Sequence, residues 1–479
     1  MSLSRPVVKA LASRLAHAGC VVDPTTGALT PPIHPSSTFE REKTLDFPRG
    51  FIYARSSNPT RSLLEQALAD VETPLGQVPG EALSFSSGVA AAASLFQSLP
   101  HGHVIVPDDM YHGCRSLLHE CFKEWGLRIL TIDMTDLECV QAALQECSSN
   151  NSLLWVETPS NPLLKVTDLT AVGQLCTEHD VPFVVDATWL TPWLCQPLGL
   201  GADIVVHSTT KYFGGHSDLT GGAVIRSSAA KPTGKRLFEK AAFHQASIGA
   251  TPSAFDSWLT LRGMRSLSVR MDVHSRNGMA VAKFLHNHEN VSQVFYPGLE
   301  THPSHELTIK QSRLSMEAQM KNKNIEQDDG EVESRNVRGG NGGNGDNGDN
   351  SGNGDNGDNG GNGGNGDNGG NGGCGGNGGN GGNGGNGGNG GNGGCGGMVS
   401  FLVEGSEADA IEVVAGTELF KRATSLGGTE SLIEHRASVE GPDTLTPTNL
   451  IRLSVGIEDQ HDLLEDLSNA LCILHVQRR

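Results

Sequence analysis

The chain has 479 residues, a length that suggests two or three domains, with 54 acidic against 35 basic residues and a formal charge of -19. No Lys/Arg-rich run interrupts that balance, which excludes the electrostatic signature of a nucleic-acid partner, and no apolar run is long enough to cross a membrane. The ten cysteines form no CxxC pair and no zinc spacing, so no metal site is expected and reduced thiols in a cytoplasmic-type compartment fit best. The first twenty residues hold three basic residues and no acid, a composition that leaves an organellar address open.

In chain order, Leu63 to Val71 has helical spacing and good helix formers, and "SSGVAAAASLFQSL" reads as a Ser/Gly turn feeding a second helix. "HVIVPDD", "RILTID", "LLWVETP", "PFVVDA" and "ADIVVHS" are short apolar runs of strand character, separated by helical segments such as "DLTAVGQLCTEH". Strands alternating with helices predict an α/β fold with a large, mostly parallel sheet covered on both faces. Past about residue 255 the pattern becomes long and helical, then gives two more strands, "MVSFLVEG" and "NLIRLSVGIE", and the helix "DQHDLLEDLSNALCIL". The expected organisation is an N-terminal arm over 1–62, an α/β domain over 63–255 and a smaller C-terminal α+β domain over 256–479.

The last of these is interrupted over 319–397. From Gly339 to Gly397 the chain uses only Gly and Asn apart from five Asp, two Cys and one Ser. With no apolar side chains to bury, this insertion is expected to be disordered. Its "GNGDNG" matches a dinucleotide-binding pattern, but no strand precedes it and no helix follows, so that reading is discarded.

Chemistry concentrates where strands end. Asp186 and Lys211 each fall just past an apolar run, at the strand ends where ligands of parallel sheets gather. A carboxylate there can keep a pyridine nitrogen protonated, and a lysine can bond covalently to an aldehyde on the same ring, which together point to pyridoxal phosphate. The Ser-Ser-Gly helix start at Ser86 to Gly88 offers backbone N–H groups to an anion, with Ser208 and Thr210 beside the lysine as further donors. Tyr111, just beyond the strand "HVIVPDDM", could stack on a flat cofactor. Tyr53 and Arg55, two residues apart in a segment read as extended, would point the same way toward a phosphate.

Read together, "YARSSNPTRSLLEQALADVE", "SFSSGVAAAASL", "DDMYHG", "ETPSNP", "VVDATW", "HSTTKYFGGHSD", "SLGGTESLIEH" and "LIRLSVGIED" closely resemble the Cys/Met-metabolism family of pyridoxal-phosphate enzymes. The likeness covers roughly residues 10 to 317 and 398 to 475. It implies a fold-type-I transferase in which Lys211 holds the cofactor and moves protons, Asp186 faces the pyridinium nitrogen and Tyr111 stacks and assists. It further implies that Gly88 and Val89 give backbone amides to the phosphate, helped by Ser208 and Thr210. Tyr53 and Arg55 would reach the phosphate of a neighbouring subunit, in a homotetramer built from dimers. Asn161, Thr424, Ser425 and Arg452 would face the cofactor hydroxyl and an amino-acid substrate.

Within the family, the likeness is to the trans-sulfuration enzymes of the cystathionine γ-synthase and γ-lyase type, which act at Cγ–S or Cγ–O of a sulfur amino acid or activated homoserine. Leu426 favours them, since bacterial cystathionine β-lyases usually carry tryptophan there. Thr424 departs from the glutamate usual in the γ-enzymes. Gly113 stands where methionine γ-lyases place a cysteine, with Cys114 one residue on. Cystathionine β-lyase or methionine γ-lyase chemistry is the alternative, and a catalytically inactive cofactor-binding scaffold is the non-enzymatic one. The scaffold reading would leave Lys211, Asp186, Tyr111 and Arg452 without a purpose.

Overall fold

The computed structural model describes residues 10–147, 151–313, 394–441 and 444–477. Seven short strands build its larger sheet: β1 (Glu81–Phe85), β2 (His103–Pro107), β3 (Arg128–Ile132), β4 (Ser152–Glu157), β5 (Phe183–Asp186), β6 (Ile204–His207) and β7 (Gly222–Arg226). Their spatial order is β1-β7-β6-β5-β4-β2-β3, parallel except for β7, which runs against both of its neighbours. The five apolar runs read as strands are the five parallel strands β2 to β6. The sequence reading passed over β1 and β7, because an edge strand with one wet face and a five-residue run opened by glycine both lack a long apolar signature.

Residues in the central strands alternate between two cores, as a sheet covered on both faces requires. Leu154, Val156 and Val185 enter one apolar cluster, while Leu153, Trp155 and Val184 enter the other, all fully buried. The helix Pro59–Glu72 packs on the first of these faces. It opens with Pro59 at the first helical position, and the Asn58 side chain accepts from Thr60 and Arg61 N–H.

A second, five-stranded sheet follows: β8 (Val291–Phe295), β9 (Met398–Val403), β10 (Lys421–Arg422), β11 (Leu432–His435) and β12 (Leu450–Ser454), in the order β10-β11-β12-β9-β8. The long helices Ala254–Met264 and Leu267–His286 precede it, and the helix Gln460–Gln477 closes the chain. β8, β10 and β11 were not foreseen, being respectively a half-exposed strand, a two-residue strand and a four-residue strand.

Most of the expected disordered insertion lies outside the described residues. Its last four residues do not behave as expected. Cys395 is buried, Gly396 N–H donates to Ser275 Oγ, the Tyr296 hydroxyl donates to Gly396 C=O, and Val455 N–H donates to Gly397 C=O. The end of the tract is therefore fixed where it feeds β9. Composition alone could not show this, because the stabilising hydrogen bonds come from residues more than fifty positions away.

Candidate active site

A cavity of about 250 Å³ opens beyond the carboxyl ends of the parallel strands. Each strand end delivers one wall. The turn after β1 gives Gly88 and Val89, the turn after β2 gives Tyr111, and β4 ends in Glu157 with Asn161 beyond it. β5 ends in Asp186, and the turn after β6 carries Ser208, Thr210 and Lys211. The second sheet closes the far side with Thr424, Ser425 and Arg452. Eleven of the thirteen residues singled out above thus meet in one place.

Lys211 Nζ donates to Ser425 Oγ at 2.7 Å. Burial is the main cause that brings the Lys211 pKa down from 10.5 to about 8, and the nearby Arg452 charge adds to it. A lysine so placed is a usable base and nucleophile near neutral pH. Its partner Ser425 has φ +108°, a backbone region that a side chain rarely adopts and that tends to occur where function demands a position. The neighbouring Gly427 explains how this loop comes so close. A Cβ there would lie 2.7 Å from Tyr212 N and 3.0 Å from the Lys211 carbonyl carbon, so only glycine lets the loop settle on the lysine turn.

Opposite the lysine, Asp186 Oδ1 accepts from Thr188 N–H at 3.0 Å and from Thr188 Oγ1–H at 2.6 Å. Thr188 Oγ1 in turn accepts from Ser208 N–H at 2.8 Å, tying the ends of β5 and β6 together. Burial raises the Asp186 pKa, against the lowering effect of the Thr188 bonds and of His207. His207, the first histidine of "HSTTKYFGGHSD", is fully buried beneath the site with Nε2 2.9 Å from Glu72 Oε2. The second, His216, is tied to Gly214 C=O at 2.8 Å.

The residues expected to cradle an anion stand at a helix start. The helix Gly88–Phe96 begins with Ser87 as its cap, whose Oγ accepts from Ala90 N–H, so the Gly88 and Val89 amides precede the capped turn. A Cβ on Gly88 would fall 2.7 Å from Ser208 Cβ, which shows how closely the helix start and the lysine turn approach. Thr210 lines the cavity beside Lys211. Its Oγ1 both donates to Gly221 C=O and accepts from Gly221 N–H, so it braces the turn as well as lining the cavity.

Tyr111 N–H donates to Glu157 Oε2 at 2.7 Å, and its ring lies against Gly113, where a Cβ would come within 2.6 Å of the ring edge. The space that a cysteine side chain at 113 would need is therefore taken by the Tyr111 ring. Cys114 lines the cavity, but burial and the nearby Asp186 and Glu157 push its thiol pKa well up, so it stays protonated.

Tyr53 and Arg55 lie outside the cavity. Residues 53–57 form a turn rather than an extended segment, with Ser56 and Ser57 N–H both donating to Tyr53 C=O. Tyr53 is 47% exposed, and Arg55 Nη1 donates to Ala246 C=O at 2.6 Å, its guanidinium 5.9 Å from the Tyr53 ring centre.

Sequence reasoning missed Glu157, Glu434 and Arg436. Glu157 carries the same signal as Asp186, an acid ending an apolar run, and the two are direct neighbours in the β4–β5 register. Burial, with Asp186 beside it, raises the Glu157 pKa well above the usual carboxylate range. Glu434 stands opposite Arg452 in the β11–β12 register and forms an ion pair with its Nη2. Arg452 Nη1 donates to Asn161 Oδ1 at 2.9 Å, joining the two sheets across the cavity. Burial holds the Arg452 pKa down at about 10, Glu434 opposing that fall.

A half-buried lysine, an acid and a helix N-terminus that line one cavity make an α/β enzyme pocket suited to a flat, aldehyde-bearing, anionic cofactor. The residues fit pyridoxal phosphate: the helix start at Gly88 offers backbone N–H groups for a phosphate, and Lys211, Asp186, Tyr111 and Ser208 line the same cavity. The family model for "Cys/Met metabolism PLP-dependent enzyme" matches residues 12–330 and 391–472, and the chain belongs to that family of pyridoxal-phosphate enzymes. It is 37% identical to a cystathionine gamma-synthase of Mycobacterium leprae over 471 residues, 97% of each chain. It is 41% identical to a cystathionine beta-lyase of Lactococcus lactis over 300 residues, 62% of this chain and 75% of that one. Among solved structures, the cystathionine gamma synthase of Xanthomonas oryzae in complex with aminoacrylate and cysteine superposes with a TM-score of 0.75 at 32% identity. That match covers 98% of this chain and 100% of the other.

Proposed function

We propose that the chain catalyses trans-sulfuration of the cystathionine γ-synthase type, replacing or eliminating a group at Cγ of an activated homoserine or a sulfur amino acid. The observation that carries this reading is the Lys211–Ser425 contact, with Arg452 held by Asn161 and Glu434 on the same wall. That arrangement sets a proton-transferring amine beside a guanidinium suited to an α-carboxylate. Relatives matching nearly the whole chain carry the γ-synthase name, and Leu426 lines the pocket where bacterial β-lyases usually have tryptophan.

When bound, pyridoxal phosphate supplies an electron sink conjugated to the substrate α-carbon. The chain does the rest. Lys211, with a pKa of about 8, takes the α-proton and returns it further along the side chain, while Ser425 Oγ holds the amine in place between transfers. Asp186, its Oδ1 fixed by the two Thr188 bonds, would face the ring nitrogen. Burial raises the Tyr111 phenol pKa, so the group remains a proton donor at neutral pH. Asn161, with Oδ1 given to Arg452, keeps its NH₂ as a donor for the cofactor hydroxyl. Tyr53 and Arg55 serve the phosphate of a neighbouring subunit, which makes the working enzyme a homo-oligomer, a tetramer of paired dimers. Among the described residues no helix is long and apolar enough to cross a membrane, and we place the enzyme in the cytoplasm.

The test is to incubate the purified enzyme with O-acyl-L-homoserine plus L-cysteine, and separately with L-cystathionine, and to follow the products. Cystathionine from the first mixture, or 2-oxobutyrate and cysteine from the second, supports Cγ chemistry. Pyruvate and homocysteine from cystathionine would instead establish the β-lyase reading that the Lactococcus relative suggests.

A further inference from the structure

Arg436 enters the cavity from the start of the helix Arg436–Glu440, one residue past β11. It is 3% exposed and held on two sides: Nε donates to Glu440 Oε1 at 3.0 Å and Nη1 to Glu434 Oε1 at 3.1 Å. The same Glu434 oxygen pairs with Arg452 Nη2, so two guanidinium groups are fastened to one carboxylate on one wall. Glu440 is itself fixed, its Oε2 accepting from the Thr444 and Thr446 hydroxyls and lying 3.5 Å from Arg115 Nη2.

Three consequences follow from this clamp. The Arg436 side chain cannot swing away, because both carboxylates that hold it are anchored. Its Nη2 makes no hydrogen bond among the described residues, although Nε and Nη1 are both used. Its charge reaches the reacting groups, lowering the Tyr111 and Lys211 pKa values. Arg452 by contrast spends Nη1 on Asn161 and Nη2 on Glu434 and the Ser425 carbonyl. A pocket that needed only to hold one α-carboxylate would not require a second guanidinium, held by Glu440 as well as by the shared Glu434.

We propose that Arg436 is a specificity-determining residue that binds a second anionic group, a carboxylate or phosphoryl group at the far end of the substrate side chain. This rests on the reading of the cavity as an amino-acid site. A rigid, desolvated guanidinium with a spare N–H is suited to a carboxylate or phosphoryl oxygen, and it discriminates against neutral side chains of the same length.

The experiment is calorimetric titration of the cofactor-loaded enzyme with unreactive, length-matched amino acids: L-2-aminoadipate, which carries a terminal carboxylate, and L-norleucine, which does not. L-2-Amino-4-phosphonobutanoate in a third titration tells a phosphoryl from a carboxylate end. The native enzyme should bind at least one of the two anionic ligands at least tenfold more tightly than norleucine. In Arg436→Met that advantage should fall below threefold, while norleucine affinity changes by less than threefold. An advantage that survives in Arg436→Met, or its absence from the native enzyme, overturns the assignment. Equal loss of all three ligands in Arg436→Met overturns it as well, because Arg436 would then act only by steadying Glu434 and Arg452. If Arg436→Met does not fold, Arg436→Lys carries the test. It keeps a charge for Glu434 yet should still lose at least threefold of the preference, and an unchanged preference overturns the role. Native enzyme that binds none of the three contradicts the amino-acid-site reading itself, a result distinct from binding all three equally.

Discussion

Replacing Lys211 by Met should make the cofactor-free protein more stable at pH 7, not less. The free amine is buried, and its pKa falls from 10.5 to about 8 chiefly because burial disfavours the charged form. At 1.36 kcal/mol per pH unit, that fall corresponds to about 3 kcal/mol of destabilisation while the amine is charged in both states. The sign follows from proton uptake. Between about pH 8 and 10.5 the unfolded chain binds more protons at this position than the folded one, so folding gains stability as pH rises through that window. Below pH 8 the full penalty is present, and above 10.5 it is gone. Methionine has nearly the same length and no charge, and the cost of leaving Ser425 Oγ without its donor is about 1 kcal/mol. The expected net gain at pH 7 is thus about 2 kcal/mol. The assay is urea unfolding of cofactor-free native protein and Lys211→Met, in steps from pH 7 to pH 10.5. The difference in unfolding free energy should favour the variant at pH 7 and shrink steadily above pH 8. A difference that is constant across the range would show that the lysine is not depressed by burial, and the argument for its reactivity near neutral pH would fail.

Arg452→Lys should chiefly raise KM with a smaller change in kcat, because a point charge replaces a planar fork; steady-state kinetics in which kcat alone fell would contradict its carboxylate-holding role. Arg55→Ala and Lys211→Ala should each be inactive, yet regain partial activity when mixed under conditions that exchange subunits. No recovery after verified exchange would mean that Arg55 does not serve a neighbouring site. Deletion of Gly339–Gly391, a stretch whose composition offers no apolar side chain to bury, should leave kcat within about threefold of native. Extending the same deletion through Gly397 should lower the melting temperature, because it removes the bonds from Gly396 and Gly397 to Ser275, Tyr296 and Val455; equal melting of the two deletions would refute the anchoring of the tract's end.

Much of this architecture was legible before any coordinates. Runs of Val, Ile and Leu that end in a single polar residue located five parallel strands and, with them, Asp186 and Lys211. The signal works because a strand buried on both faces must be apolar throughout, so an acid or lysine at its end stands out. Glu157 obeyed the same rule and was passed over for want of an assigned role. Arg436 could not have been found this way. It sits at a helix start in "SLIEHRASVE", and its significance comes from Glu434 and Arg452 meeting it across β11 and β12, a pairing of residues sixteen and eighteen positions from Arg452. Thr210 shows the converse, a hydroxyl in the right motif that also serves Gly221.

The most direct test of the central claim is to locate the cofactor on the chain. Purified enzyme should be yellow, and borohydride reduction followed by proteolysis and mass spectrometry should place a single pyridoxyl group on Lys211. Labelling of another lysine, or of none in protein that turns over substrate, would contradict the account.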